Sequence, residues 1–568
     1  MGKAEATVEE LVGRIERGQL RLPEMQRRYV WRSPRVRDLL DSLYRGYPSG
    51  AILLWETNED VPLQEFGVPQ KDNPYQNTQL LLDGQQRLTS LSAVIRGEPV
   101  MVRGRKKPLE LLFNLEHPEH LAVVTEVNEE ADDDESPDDE DTDSSDDELQ
   151  ERFNKMVFVV ATKKLEQLPQ WVRVTDVFKS TSDSDFLKQA GVTSFDDPRY
   201  DKYSKRLARL RGIRGYVYRI DVLERSLSYD EVTEIFVRVN SLGAKLRSSD
   251  LALAQITAKW PGALKTFQGV QEQSKKAGFD VDLGLHLRNL VAFATNQSRF
   301  LTIGNVPIER LQEAWKHCVP GIEYAINFLK SNAGIDSPAL LSSPYLLVTL
   351  GYFGHARRYT IDQNEAAALR KWALLANAKA RYTRGSSETL LDQDLATIRD
   401  GGGVPELLER LRLQVGRLDI VQDELMGRNQ RSALFKTMFL AFREAGAKDW
   451  KSNLAIALDH RGVTHKLQFH HIFPKALLRG HYTTREADDI ANLAFISGKT
   501  NKQILAKPPK AYFPQYIEKA GKEAFAAQCI PTDDAVLDVA DYKAFLAERR
   551  KRISQRLNQY LDCVEGSS

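Results

Sequence analysis

Residues 126–148, EVNEEADDDESPDDEDTDSSDDE, constrain this chain more than any other segment. They carry 15 acidic side chains, no Lys or Arg, and almost no apolar residue. Charges of one sign at that density repel, and without apolar surface to bury the run cannot offset its conformational entropy. Whatever folds here includes a segment that cannot fold alone. Two readings follow: a solvated loop, or a nucleic-acid mimic that fills a basic groove until substrate displaces it. The run also hides an asymmetry. The 568 residues include 79 Lys and Arg against 79 Asp and Glu, so setting the run's 15 acids aside leaves a balance of +15. A basic body with an acidic insert suits a polyanionic partner.

The rest has the composition of a folded protein, 42% hydrophobic and 28% charged, which excludes wholesale disorder. No apolar run approaches the ~18–20 residues of a spanning helix. The strongest, 338-PALLSSPYLLVTLGYFGHARR, is broken by Ser, Pro, Gly and His. The charged, amphipathic start MGKAEATVEELVGRIERG does not read as a secretory signal. Cys318, Cys529 and Cys563 lie too far apart for a CxxC pair or a disulfide framework and fit a reducing compartment. The expectation is a cytoplasmic protein with no membrane partner.

Periodicity divides the chain into three blocks and predicts an α+β, mostly helical fold. In residues 1–250, VEELVGRIERGQL reads as an amphipathic helix, and Val36, Leu39, Leu40 and Leu43 recur at helical spacing. The runs 51-AILLWE, 79-QLLLDG, 157-VFVVA and 216-YVYRIDVL read as strands, so this block is expected to be an α/β or α+β domain carrying the insert. Residues 251–420 are dominated by helical patterns such as 306-VPIERLQEAWKHCV and 364-NEAAALRKWALLANAKARY, with a break at Gly401, Gly402, Gly403 and Pro405. Residues 421–568 hold 432-SALFKTMFLAFREAG, a histidine-rich centre and a charged helix, 541-DYKAFLAERRKRISQRLNQYL.

The histidines carry the clearest chemistry. Five of the ten fall between 460 and 481: His460, His465, His470, His471 and His481. Neighbouring side chains on a strand point to opposite faces, so in 467-LQFHHIFPKALL one imidazole can face a metal while the next faces water. Pro474 ends the strand, Asn492 precedes an apolar stretch, and Asn501 opens a helical segment, NKQIL. A phosphodiester needs a water deprotonated near neutral pH, for which imidazole is suited, and a cation on the developing charge. Taken alone, the same residues fit a structural zinc site or histidines packed in a core.

The pattern HHIFP, NL and KTN resembles the HNH, or His-Me finger, nucleases with a ββα-metal fold, in the branch fused to GmrSD-like type IV restriction enzymes. The resemblance implies His471 as general base, Asn492 as the residue that orients it, and His470 and Asn501 as metal ligands. His470 departs from the Asp or Glu of relatives; an imidazole ligand shifts preference from Mg²⁺ towards Mn²⁺, Ni²⁺ or Zn²⁺. Lys499 and Lys502 flank Asn501 and are expected at DNA phosphate.

At the other end, 22-LPEMQRRYVW sets an Arg pair beside aromatics, and 82-LDGQQRLTSL sets Gly84 and Arg87 between a strand and a helix N-terminus, where an anion is favoured. The segment 236-FVRVNSLGAKLRSSDLALA adds Arg238 and Asn240; on its own, FVRVN reads equally as a strand edge. In this order they resemble the ParB-like, or sulfiredoxin-like, domain of the GmrSD, SspE and BrxU group. The matching positions are Pro23, Gln26, Arg27, Tyr29 and Trp31, then Asp83 to Arg87, then Phe236, Arg238, Asn240 and Gly243. The resemblance implies nucleoside triphosphate (GTP, UTP or ATP) at Asp83, Gln85, Gln86, Arg87, Arg238 and Asn240, with hydrolysis, and the sensing of modified DNA. Gln26, Arg27, Arg28, Tyr29 and Trp31 are candidates to meet that DNA, the two aromatics being equally readable as core. No GxxxxGK[ST] loop is present.

The function expected is a nucleotide-regulated, metal-dependent endonuclease that nicks or cleaves modified double-stranded DNA in anti-phage defence, as a monomer or a homo-oligomer. The alternatives are a non-catalytic DNA-binding regulator with a structural metal, and a ParB-type NTPase docked on DNA.

Overall fold

The computed structural model describes residues 2–26, 29, 31–71, 79–98, 108–119, 153–242, 247–459 and 467–562, the side chains of 240–242 and 302 excepted. The acidic segment 126–148, Arg27, Arg28, Gly243, His460, His465, Cys563 and the side chain of Asn240 lie outside the described residues. The architecture is α+β, and the chain divides into two compact units, Met1–Leu264 and Lys265–Ser568.

The first unit contains strands β1 (Gly2–Thr7), β2 (Leu20–Pro23), β3 (Ile52–Glu56), β4 (Leu63–Gln64), β5 (Gln79–Asp83), β6 (Leu111–Asn114), β7 (Phe158–Val160), β8 (Trp171–Arg173) and β9 (Val217–Leu223). Six of them form a mixed sheet in the order β1-β9-β3-β5-β2-β4, and three form a separate antiparallel sheet, β7-β6-β8. The four strand-like runs become β3, β5, β7 and β9. β3 and β5 are continuous apolar runs because they sit inside the sheet and are buried on both faces. β1 has no apolar pattern, and only Ala6 in it is buried; pairing with β9 from Gly2–Val222 to Thr7–Val217 makes it a strand.

The helix Val8–Glu16 begins in a capping box, in which Thr7 Oγ1 accepts from the Glu10 N–H (3.2 Å) and the Glu10 carboxylate accepts from the Thr7 N–H (2.7 Å). The helix Ser33–Arg45 buries Val36, Leu39, Leu40 and Leu43, the spacing read from sequence. FVRVN lies in a helix, Tyr229–Leu242, and not at a strand edge. Val232 and Phe236, one turn apart, bury against Trp55 and Met25, and that helical stripe outweighs the local β-branched preference.

The second unit is helical apart from a two-stranded antiparallel sheet of β10 (Leu467–His471) and β11 (Leu493–Ser497). The expected helices form as Ile308–Ser331, Gln363–Ala378, Ala433–Glu444 and Tyr542–Asp562, and the Gly-Pro break separates Ser387–Arg399 from Val404–Val415. The helices Ile308–Ser331 and Tyr345–Ala356 cross so closely that a Cβ on Gly351 would lie 2.8 Å from the Gly321 carbonyl oxygen, which requires glycine there. One apolar core runs from Phe279 through Trp372, Phe439, Phe473 and Phe495 to Leu561. The helices from Leu283 to Val415 and the histidine-bearing segment therefore share a core. Behind β11, Phe435, Phe439 and Phe442 surround Phe495 with ring centroids 5.0, 5.3 and 6.1 Å away. Among the described residues, no helix is long and apolar enough to cross a membrane.

Three histidines, His117, His286 and His470, are buried, and burial lowers each to about 4. They are neutral when folded, whereas in the unfolded chain they bind a proton below about 6.5. Between these values the unfolded state holds more protons, so stability falls as pH falls through the window. The thermal midpoint is expected to drop from pH 6.5 towards 4, and calorimetry of His286→Leu is expected to flatten that drop by up to roughly 3 kcal/mol.

Candidate active site

Buried charges hold the strand pair in place. Asp449 is 4% exposed. Its carboxylate accepts from the Ser497 N–H (2.7 Å), the Ser452 N–H (2.8 Å) and Thr500 Oγ1 (3.0 Å), joining the end of β11 to the next helix, Gly498–Ile504. Burial pushes this carboxyl up, but the bonds from Ser497, Ser452 and Thr500 outweigh it and leave it below its ordinary value. Arg549, fully buried, donates to the carbonyls of Ala491 and Leu493 (2.8 Å each) and of Gln528 (3.1 Å); burial lowers it to about 10. Asn492 is buried as well. Its Oδ1 accepts from the Phe473 N–H (2.8 Å), and its Nδ2 donates to the carbonyls of Phe473 (3.0 Å) and Ala487 (2.9 Å). Asn492 thus fixes the backbone directly after the histidine pair.

The two histidines face different surroundings, as strand alternation predicts. The His471 side chain is 24% exposed, and its Nε2 lies 2.9 Å from Asp488 Oδ1. Lys475 Nζ reaches the same oxygen at 2.9 Å. The bond from His471 first, then Lys475 against a burial penalty, holds the Asp488 carboxyl below its usual range. An ionised carboxylate accepts, so Nε2 carries the hydrogen and Nδ1 keeps its lone pair. Nδ1 has no hydrogen-bond partner among the described residues.

His470 is 3% exposed. Its Nδ1 lies 2.9 Å from Asn501 Oδ1, and its Nε2 lies 3.2 Å from the Tyr512 hydroxyl. The Asn501 amide also meets Gln468 at 3.0 Å. Two neighbouring ligands of an octahedral ion with bonds of about 2.1 Å stand about 3 Å apart, so the His470–Asn501 pair fits a divalent cation. Among the described residues there is no group of three or more His, Cys, Asp or Glu that could hold a metal, so water and substrate oxygens would complete such a site. Lys499 and Lys502 are exposed on the helix that bears Asn501.

Sequence reading missed Gln468, Asp488, Tyr512, Asp449 and Arg549. The acidic pair in 486-EADDIAN was a visible signal for Asp488. Its division of labour was not: Asp489 is buried on Arg550 (2.5 Å) and the Gly427 N–H (2.8 Å), and only Asp488 faces His471.

At the other candidate site, Gly84 adopts φ +99° at the head of the helix Gln85–Arg96, where a Cβ would meet Ile52 Cδ1 at 2.3 Å. Arg87 does not project freely. Its guanidinium donates to the carbonyls of Ser49 (2.5 Å) and Ala51 (2.7 Å) and pairs with Asp83 (2.9 Å). The Asp83 side chain is 45% exposed, Gln85 is buried, and Gln86 Oε1 accepts from the Trp31 N–H (3.2 Å). Gln26, expected at DNA, is instead 6% exposed, and its amide donates to the carbonyls of Leu81 (3.1 Å) and Leu82, tying the end of β2 to β5. Tyr29 and Trp31 pack partly buried against the core; Tyr29 bonds Ser90 Oγ (2.9 Å), and burial pushes it up to about 12. Arg238 is 73% exposed and pairs with Glu234 one turn away (2.6 Å).

Removing Arg87 breaks one part-buried and one exposed bond to carbonyls and the pair with Asp83, so Arg87→Ala is expected to destabilise the first unit by about 1–2 kcal/mol. Arg238→Ala, at an exposed pair, is expected to cost under about 0.5 kcal/mol. Urea unfolding of the two variants measures the contrast.

Comparison with known proteins bears on both ends of the chain differently. An uncharacterized protein of Methanocaldococcus jannaschii is 24% identical over 559 residues, covering 90% of this chain and 86% of its own length. Residues 8–257, which hold all three N-terminal motifs, match the family described as GmrSD restriction endonuclease, N-terminal domain.

Proposed function

We propose that this chain is a nucleotide-regulated, metal-dependent DNA endonuclease acting on modified DNA, with a ββα-metal centre of HNH type at 467–504. The observation that carries the reading is the His471 imidazole, bonded to Asp488 through Nε2, with Nδ1 unpartnered among the described residues, one residue from the His470–Asn501 pair. The GmrSD match over residues 8–257 supports the substrate class.

In this reading His471 Nδ1 takes the proton of the attacking water. Asp488 holds the ring in the tautomer that makes Nδ1 basic and stabilises the imidazolium once it forms. Asn492 keeps the Ile472–Phe473 backbone, and hence the ring, in register. Lys499 and Lys502 bind flanking phosphates. His470 and Asn501 would hold the divalent ion, which supplies charge stabilisation at the phosphate and the leaving oxygen. Asp83, Gln85 and Gln86 are the proposed nucleotide contacts, with Arg87 setting the Ser49–Ala51 loop beside them and Arg238 and Asn240 completing the set. Tyr29 and Trp31 are proposed at DNA beside Arg27 and Arg28. Uncontrolled cutting would destroy host DNA, and nucleotide binding is the proposed gate.

Relaxation of supercoiled plasmid, modified and unmodified, with each NTP and each of Mg²⁺, Mn²⁺, Ni²⁺ and Zn²⁺ tests this. His471→Ala is expected to lower the nicking rate by about 10²–10⁴-fold, the contribution of a general base. Full nicking by that variant would sink the assignment. Asp83→Ala is expected to lose nucleotide turnover; unchanged turnover would leave the first unit as a sensor only.

A further inference from the structure

We propose that Tyr512 is a positioning residue that fixes the tautomer of His470: the Tyr512 oxygen accepts the Nε2 hydrogen, so the Nδ1 lone pair faces Asn501, ready for a divalent cation. This rests on the reading of His470 and Asn501 as the metal-holding pair.

The argument counts protons. The Tyr512 hydroxyl has one, and two neighbours stand ready to accept it: the Ile472 carbonyl at 3.0 Å and His470 Nε2 at 3.2 Å. Ile472 and Tyr512 are both buried, and among the described residues no other donor reaches that carbonyl. Leaving a buried carbonyl unpaired costs about 1–3 kcal/mol. The hydroxyl proton therefore goes to Ile472, and the oxygen is left to accept from the imidazole. A neutral imidazole has a single N–H. With that hydrogen on Nε2, Nδ1 is bare.

The other end of the ring accommodates this tautomer once the two amides beside it turn over. A half-turn of an amide exchanges its oxygen and nitrogen within the same outline. As placed, Asn501 Nδ2 donates to Gln468 Oε1 and Asn501 Oδ1 faces His470 Nδ1; turning both amides over gives the metal-free chain Gln468 to Asn501, Asn501 to His470 Nδ1, His470 Nε2 to Tyr512, and Tyr512 to Ile472, one donor for each acceptor. With a cation, the Asn501 oxygen and the Nδ1 lone pair face the ion together, and the ring itself does not turn. The opposite tautomer would leave Nε2 and the Ile472 carbonyl competing for one phenolic proton. Trp450 holds the imidazole edge-to-face at 6.1 Å, so the ring is not free to escape the choice.

The ¹⁵N resonances of His470 in the metal-free full chain, identified by their loss in His470→Gln, read the tautomer directly. A protonated Nε2 and a bare Nδ1 are expected; the reverse overturns the proposal. Calorimetric titration with Mn²⁺ alone adds a second readout. Tyr512→Phe keeps the ring and removes the hydroxyl, and Mn²⁺ affinity is expected to fall about 10–100-fold, while Tyr516→Phe, one turn along the same helix, leaves it unchanged. Loss of binding in Asn501→Ala with none in Tyr512→Phe overturns the proposal alone. Undiminished binding in both Asn501→Ala and His470→Gln overturns the metal-pair reading and this proposal with it.

Discussion

β10 and β11 pair over only five residues each, and a lone two-stranded sheet is marginal in water. The candidate active site depends on overcoming that weakness. The segment between the strands, residues 472–492, gains nothing from sheet pairing beyond its first bond, Ile472 N–H to the Asn492 carbonyl at 2.8 Å. Its short helices and turns satisfy part of its backbone, and side chains tie the rest down: Asn492 at Phe473 and Ala487, and Arg549 at Ala491 and, just beyond, at Leu493. A buried cation such as Arg549 is tolerated because every bond it makes ends on a carbonyl that would otherwise be orphaned.

From this bracing follows the division between the two imidazoles. The same strand that turns His470 inward, against Trp450 and Tyr512, turns His471 towards solvent and Asp488. The proposed base needs access to water and a carboxylate that orients its ring; the proposed metal ligand needs a fixed ring and a fixed tautomer. The alternation of a strand supplies both from adjacent residues, and the helix that follows β11 brings Asn501 to the inner one. Asp449 sets where that helix starts, because the same carboxylate receives the last amide of β11 and the hydroxyl of the helix's first turn.

The first unit treats its polar motifs differently. In Asp83 to Arg87 the turn forms as its glycine allows, yet Arg87 and Gln26 face inward and satisfy carbonyls of their own sheet. The arginine and glutamine types in these motifs carry information about fold as well as about ligand. At this turn the Asp83 side chain is the more exposed, 45% against 14% for Arg87.

Local pattern was sufficient for β3, β5, β7 and β9, for the long helices, and for the strand–helix setting of His470, His471 and Asn501, because these elements carry their own apolar periodicity. It was insufficient for β1, whose strand state exists only through β9, and for FVRVN, whose helical stripe is visible only once Trp55 and Met25 are opposite it. Within the site, the residue types that the proposed chemistry needs are legible in HHIFP and KTN. That Asp488 and not Asp489 reaches His471, and that Tyr512 stands against His470, depended on where a fully buried arginine and a crowded aromatic core let the backbone lie. Hydrogen-bond partners drawn from 17 and 42 residues away are set by packing, and packing is a property of the folded chain alone.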